Sequence, residues 1–128
     1  MKMNAFRLIN TAVVKSEMDF TRAKKDLVFN GIVSLSTSLK TPKDTAKHRN
    51  IYCSVTLSMG EENDILKIRM KTLSKFEIAE LNDPSTLRKD SSNYCPRQAV
   101  EEALRKFEQL TELHIGHPLH IPLPPDME

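Results

Sequence analysis

Tryptophan is absent from this chain, glycine occurs three times, cysteine twice, and aromatic residues make up only 5%. Each shortage excludes something. Three glycines leave no glycine-rich loop to cradle a phosphate, which removes the common nucleotide-binding designs. The scarcity of aromatics removes the stacking array on which single-stranded nucleic acid is held. Cys53 and Cys95 are the only cysteines, and in a reducing compartment they read as free thiols. No apolar run reaches the roughly 18 residues that cross a bilayer, so no membrane insertion is expected. The opening stretch MKMNAFRLIN has neither an unbroken apolar centre nor a small-residue cleavage site. It does not read as a secretory leader, and a cytoplasmic protein is expected.

What is present suits one soluble domain spanning residues 1–128, long enough to bury roughly two-thirds of the surface its unfolded chain exposes. The net charge of +2 hides an asymmetry. Residues 1–49 hold ten Lys/Arg against four Asp/Glu, and residues 50–128 hold nine against thirteen. The basic excess gathers at Arg22, Lys24 and Lys25, and again at Lys40, Lys43, Lys47 and Arg49. With neither interleaved aromatics nor a basic helix, these clusters read as solvated loops, and no nucleic-acid partner is expected.

The segment 94–125 is the clearest element. Pro96 suits a first helical turn, where no N–H is needed and proline's φ is already helical. Val100, Ala103, Leu104, Phe107, Leu110 and Leu113 then follow in steps that share one helical stripe, with charged residues between them. Gly116 offers a stop, and Pro118, Pro122, Pro124 and Pro125 forbid continuation. A helix of about four to five turns with one apolar face needs a cover.

Four strand-like segments supply it. Residues 6–20 keep no single parity, which predicts a bulge near Thr11–Ala12. Residues 27–39 alternate Val33, Leu35, Thr37 and Leu39 with serines. In residues 51–59, Ile51, Cys53, Val55, Leu57 and Met59 share one face. In residues 65–78, Leu66, Ile68, Met70, Phe76 and Ile78 oppose Lys67, Arg69, Lys71, Lys75 and Glu77. Residues 80–93, ELNDPSTLRKDSSN, read as a loop. Short polar turns favour antiparallel pairing of chain neighbours. The expected fold class is α+β: two layers, a four-stranded antiparallel sheet with one long helix packed on one face.

Reactive chemistry is hard to find. His114, His117 and His120 recur every third residue, but Gly116 and Pro118 break the helix that would align them. They read as solvent-facing or packed histidines, and no metal is expected. Cys53 reads as inward strand filler. Cys95 lies ahead of the expected helix start, where a thiol pKa is lowered, but no catalytic partner is identifiable. The reading is of a protein that is not an enzyme and carries no cofactor.

Four antiparallel strands followed by a helix that opens at Cys95-Pro96, with Ala103 seven residues after the proline, resemble SecB, the protein-export chaperone family. The stretch Pro118-Leu119-His120-Ile121-Pro122-Leu123-Pro124-Pro125 resembles the family's proline-containing apolar stretch. Val14-Lys15 with Phe20, and Phe76-Glu77-Ile78, resemble its Val-Lys with a later Phe and its Phe-x-Ile. The family's Phe-Pro-Tyr-Ala-Arg helix signature is replaced here by Val100-Glu101-Glu102-Ala103-Leu104, as in a divergent member.

The resemblance implies ATP-independent binding of unfolded or precursor polypeptides by a homotetramer built as a dimer of dimers, with a plain dimer as fallback. In the export branch the partner is the SecA motor, which docks on an acidic sheet face. Here the outward parity of the fourth strand is basic, which speaks against SecA. The alternative is a SecB-fold interaction module without an export role, such as a chaperone for a toxin–antitoxin pair. The resemblance also places a peptide-binding groove between the sheet and the loop that leads into and out of the helix, here the end of the fourth strand and residues 79–94, with the proline stretch as a candidate wall. Its apolar members here are Phe76, Ile78, Leu81, Leu87 and Tyr94. The competing reading is that these residues pin that segment onto the sheet.

Overall fold

Strict alternation of apolar and small polar residues makes Asn50–Met59 a strand with one dry face. All five of Ile51, Cys53, Val55, Leu57 and Met59 are buried, as expected. The structure, a computed structural model, describes residues 5–19, 33–43, 47–59, 67–79, 84–116, 121 and 123. Within these, the chain runs β1 (Phe6–Asp19), β2 (Val33–Lys40), β3 (Asn50–Met59), β4 (Lys67–Ile78), a 3₁₀ turn at Pro84–Thr86, and α1 (Leu87–Ile115). The strands form one antiparallel sheet, and α1 covers one face of it. The two-layer α+β architecture is therefore the one expected.

The strand order is β1-β4-β3-β2, which corrects the expectation that chain neighbours pair throughout. β1 lies beside β4 and not beside β2. Length supplies the reason. β1 has 14 residues and β4 has 12, whereas β2 has 8, so the long strands satisfy more backbone groups on each other. β1 and β2 are thus the two edges of the sheet, about 14 Å apart.

β1 holds its parity problem in two places. The register with β4 shifts between Leu8 and Asn10 and again between Val13 and Lys15. Ile9 and Val14 are the extra residues, and both are exposed. The single bulge expected near Thr11–Ala12 is thus two bulges flanking that pair. The double slip restores Thr11 and Val13 to the inner face, opposite Ser74 and Thr72. There the Thr11 and Ser74 hydroxyls share a hydrogen bond of 2.7 Å.

The helix begins at Leu87, not near Tyr94, so the residues read as loop from Leu87 to Asn93 are helical. Pro96 stands inside the helix instead of in its first turn. The interior proline is tolerated because the early turns are anchored. Leu87 and Ser91 are buried, and Thr86 Oγ1 donates to the Asp90 carboxylate at 3.0 Å across the first turn. The end follows the reading. Gly116 has φ 93° and donates its N–H to the Glu112 carbonyl at 2.9 Å, the left-handed stop that glycine permits.

The buried line of α1 runs Leu87, Ser91, Cys95, Ala99, Ala103, Phe107 and Thr111, flanked by Val100 and Leu104. A step of four overshoots the 3.6-residue turn by about 40°, so the line winds around the helix as it crosses the sheet. Leu113, expected on the covered stripe, is left on the far side and is 77% exposed.

Candidate functional site

β1 begins, β4 ends and β3 begins at one end of the sheet, and backbone hydrogen bonds fix the three together. Ile78 N–H donates to the Arg49 carbonyl at 2.8 Å, and Ala79 N–H donates to the Ala5 carbonyl at 2.9 Å. The Arg49 guanidinium donates to the Ile78 carbonyl from Nε at 3.3 Å and from Nη2 at 3.1 Å. This end carries residues expected to form a groove. Phe76 and Ile78 lie on the inner face of β4, opposite Leu8 and Phe6 of β1. Both are fully covered, and Leu87 at the head of α1 is also buried. Tyr94 is half-buried, with its ring stacked on Phe6 at a centroid distance of 5.9 Å. Leu81 lies outside the described residues.

Phe76 and Ile78 thus form a buried floor at this end of the sheet, half-buried Tyr94 is the rim beside it through its stack on Phe6, and Leu87 is buried elsewhere in the same core cluster. Leu8, Ile121 and Leu123 are also half-buried against the core. Ile121 and Leu123 belong to the proline stretch expected as a groove wall; Pro118, Pro122, Pro124 and Pro125 lie outside the described residues. Leu8 was missed because the bulge at Ile9 hides which parity of β1 faces inward.

The reverse side of the sheet forms a second surface. Its outward rows align Lys15, Lys71 and Thr56, then Ala12, Leu73 and Ser54, then Asn10, Lys75, Tyr52 and Lys40. A depression of about 290 Å³ is lined by Val14, Ser38, Lys40, Tyr52, Ser54, Lys71 and Leu73. Another of about 370 Å³ lies along Lys15, Thr56, Ser58, Arg69 and Lys71. Val14, Tyr52 and Leu73 are exposed apolar groups on this face. Leu73 was legible as the one apolar residue on the Lys71 and Lys75 parity of β4.

The thiols are inert by position. Cys53 and Cys95 are buried and free. Burial pushes the Cys53 thiol up to about 11. Burial, with a smaller contribution from Cys53, pushes Cys95 up to about 12. The helix start that would lower the Cys95 pKa lies eight residues earlier, so that expectation is corrected. His117, His120 and the His114 side chain fall outside the described residues. Among the described residues no three His, Cys, Asp or Glu side chains gather as a metal site.

No family model and no curated protein matches the sequence. Solved structures do. A Streptococcus agalactiae protein of unknown function aligns over 91% of this chain and 96% of its own, at 14% identity and a TM-score of 0.44. The SecB-like chaperone of Mycobacterium tuberculosis, solved with a ChAD peptide from the HigA1 antitoxin, aligns over 94% of this chain and 92% of its own. Its identity is 9% and its TM-score 0.71. Four antiparallel strands under one long helix, superimposed over nearly all of both chains, give this chain the fold of that SecB-like chaperone at very low sequence identity.

Proposed function

We propose that this protein is an ATP-independent chaperone that binds unfolded or extended polypeptide, dedicated to a particular partner rather than to general export. The single observation behind this reading is the fold shared with a SecB-like chaperone that was solved holding a peptide from an antitoxin. The apolar end of the domain supports it. Tyr94 and Leu8 are half-buried there beside the Phe76 and Ile78 floor, a rim against which an extended chain can lay alternate apolar side chains. The export reading requires contact with SecA. The outward face of β4, with Arg69, Lys71 and Lys75, is opposite in sign to the acidic face that the export family offers.

Active protein is proposed to be a homotetramer, with a dimer as the smaller alternative, acting in the cytoplasm. The test is suppression of aggregation of a reduced, unfolded model protein without ATP. The reading expects suppression at stoichiometric chaperone, weakened per folded molecule by Tyr94→Ser, beyond the loss of melting temperature that removing the stack on Phe6 brings. No suppression at several-fold molar excess overturns it. A SecA-dependent gain in precursor translocation would restore the export reading.

A further inference from the structure

The face of the sheet that α1 does not cover has a charge pattern unlike a merely solvated surface. Lys15 is paired with Glu17 at 3.2 Å, and Arg7 with Glu77. Among the described residues, Lys40, Arg69, Lys71 and Lys75 have no such partner. Lys40 and Lys71 line the depression of about 290 Å³ together with the exposed apolar groups Val14, Tyr52 and Leu73, Lys75 stands opposite Tyr52 across the strand pair, and Arg69 lies one outward position beyond Lys71. Lys71 and Lys75 lie four residues apart on one strand, about 13 Å, with Leu73 midway. An extended chain presents side chains to one face at the same period as the strand beneath it.

We propose that this open sheet face is a second docking surface, which takes a short, extended, acidic polypeptide segment with an apolar side chain seated between Tyr52 and Leu73. The segment's carboxylates would pair with Lys71, Lys75 and Lys40. The paired Glu17 and Glu77 stand toward opposite ends of the face and repel a continuous polyanion. Among the described residues Tyr52 is also the sole aromatic along the outward rows, which offers no array to stack successive bases. Both points favour a polypeptide over nucleic acid. This surface lies on the other side of the sheet from the Tyr94 rim, so client and acidic partner can be held together.

The probe is a fluorescein-labelled peptide of about nine residues, roughly 30 Å extended, alternating Glu with Leu, and its control has Gln for every Glu. Anisotropy at low salt is expected to show at least about tenfold tighter binding of the Glu peptide, with affinity falling steeply as salt screens the face. The double variant Lys71→Glu with Lys75→Glu is expected to weaken the Glu peptide by about tenfold or more, since each exposed pair is lost and replaced by repulsion. The milder pair Lys40→Gln with Lys71→Gln, which removes the charges and keeps polar side chains, is expected to reduce the salt dependence if the reversal variant fails to fold. Equal binding of the Glu and Gln peptides, no binding of either, or tighter binding of oligothymidylate than of the Glu peptide would overturn the proposal. Aggregation suppression measured on the same variants separates this inference from the chaperone reading, because loss of suppression with retained peptide binding sinks only the latter.

Discussion

Cys95 shows how one residue's role turns on which turn of a helix it occupies. At a helix start it would be an activated thiolate; eight residues in, facing Cys53 across the layer boundary, it is a buried hydrophobe. Neither thiol is expected to react with a disulfide reagent at pH 8 until the protein unfolds, when both react; fast labelling of the native protein would contradict the burial. The pH dependence has a definite sign. With folded values of about 11 and 12 against an ordinary value near 9, the native state holds protons that the unfolded chain releases. Their contribution to stability is complete below about pH 9 and is lost as pH rises toward the folded values. Thr72 poses a different question. It is fully buried in the centre of β4, between Val13 and Val55, and its hydroxyl has no partner among the described residues. Thr72→Val removes an unpaired polar atom at constant shape, so it is expected to be neutral or to stabilise by about 1 kcal/mol in urea unfolding. A loss of more than about 1 kcal/mol would mean that a buried water holds the hydroxyl. Leu87 and Tyr94 divide the labour. Leu87→Ala is expected to cost about 2–3 kcal/mol and several degrees of melting temperature, because it empties a packed site. A fully stable Leu87→Ala variant with impaired client binding would show that Leu87 belongs to the groove and not to the core.

At the scale of the element, α1 is two helical stretches joined at a proline. Pro96 has no N–H to give the Ser92 carbonyl, and its ring crowds that carbonyl, at a cost of about 3 kcal/mol in an ordinary interior. Upstream, the Ser91 and Ser92 hydroxyls turn back to the Arg88 carbonyl at 3.2 Å and 2.6 Å, which competes with straight helical bonding. Downstream, Ala99, Val100, Ala103, Leu104 and Phe107 are all buried. Native-state hydrogen exchange is therefore expected to be faster in residues 88–95 than in residues 99–108, by about tenfold or more, with the first stretch opening as a local unit. Uniform protection along α1 would refute this division. The same helix marks what the sequence made legible. The stop at Gly116, the buried set Val100, Ala103, Leu104 and Phe107, and the inner face of β3 were all readable, because each rests on periodicity or on a backbone conformation only glycine adopts easily. The helix start was not, because Pro96 is a stronger local signal than the weak polar sequence before it, and only tertiary anchoring at Leu87 overrides it. The strand order was not readable either, since it depends on which long strands match across the sheet and not on any local turn. Of the residues expected to line a groove, sequence did not separate the buried Phe76, Ile78 and Leu87 from the half-buried Tyr94, because that depends on how far α1 extends over the sheet.

At the scale of the whole molecule, the two layers leave unequal surfaces. The inner face of the sheet is closed by α1, and the outer face is a mixed basic and apolar surface. Two features lack an intramolecular explanation. β1 is a 14-residue edge strand, long for an edge, and long flat edges invite another strand to pair. Its bulges at Ile9 and Val14 are devices that interrupt such pairing, and they leave the stretch between them as the straight section available to a neighbour. Leu113 is 77% exposed on the outside of α1, on the far side from Thr111, where no contact with the sheet is possible. An exposed edge on one element and an exposed leucine on another are separate faces, so a symmetric dimer through either leaves the other for a dimer of dimers. Multi-angle light scattering at micromolar concentration is expected to return a multiple of the 14.6 kDa chain mass, four for the tetramer or two for the dimer. The variants then assign the faces. Leu113→Glu is expected to reduce a tetramer to a dimer without altering strand pairing, because it places a charge on the helix face alone. A proline at Ala12, which removes one backbone donor from the straight section of β1, is expected to break the interface made by the strand edge. Its melting temperature is compared with that of the Leu113→Glu protein, which tells a loss of pairing within the chain from a loss of the interface. A wild-type chain that remains at 14.6 kDa across the micromolar range would eliminate both interfaces, and the chaperone reading would then rest on a single protomer's rim.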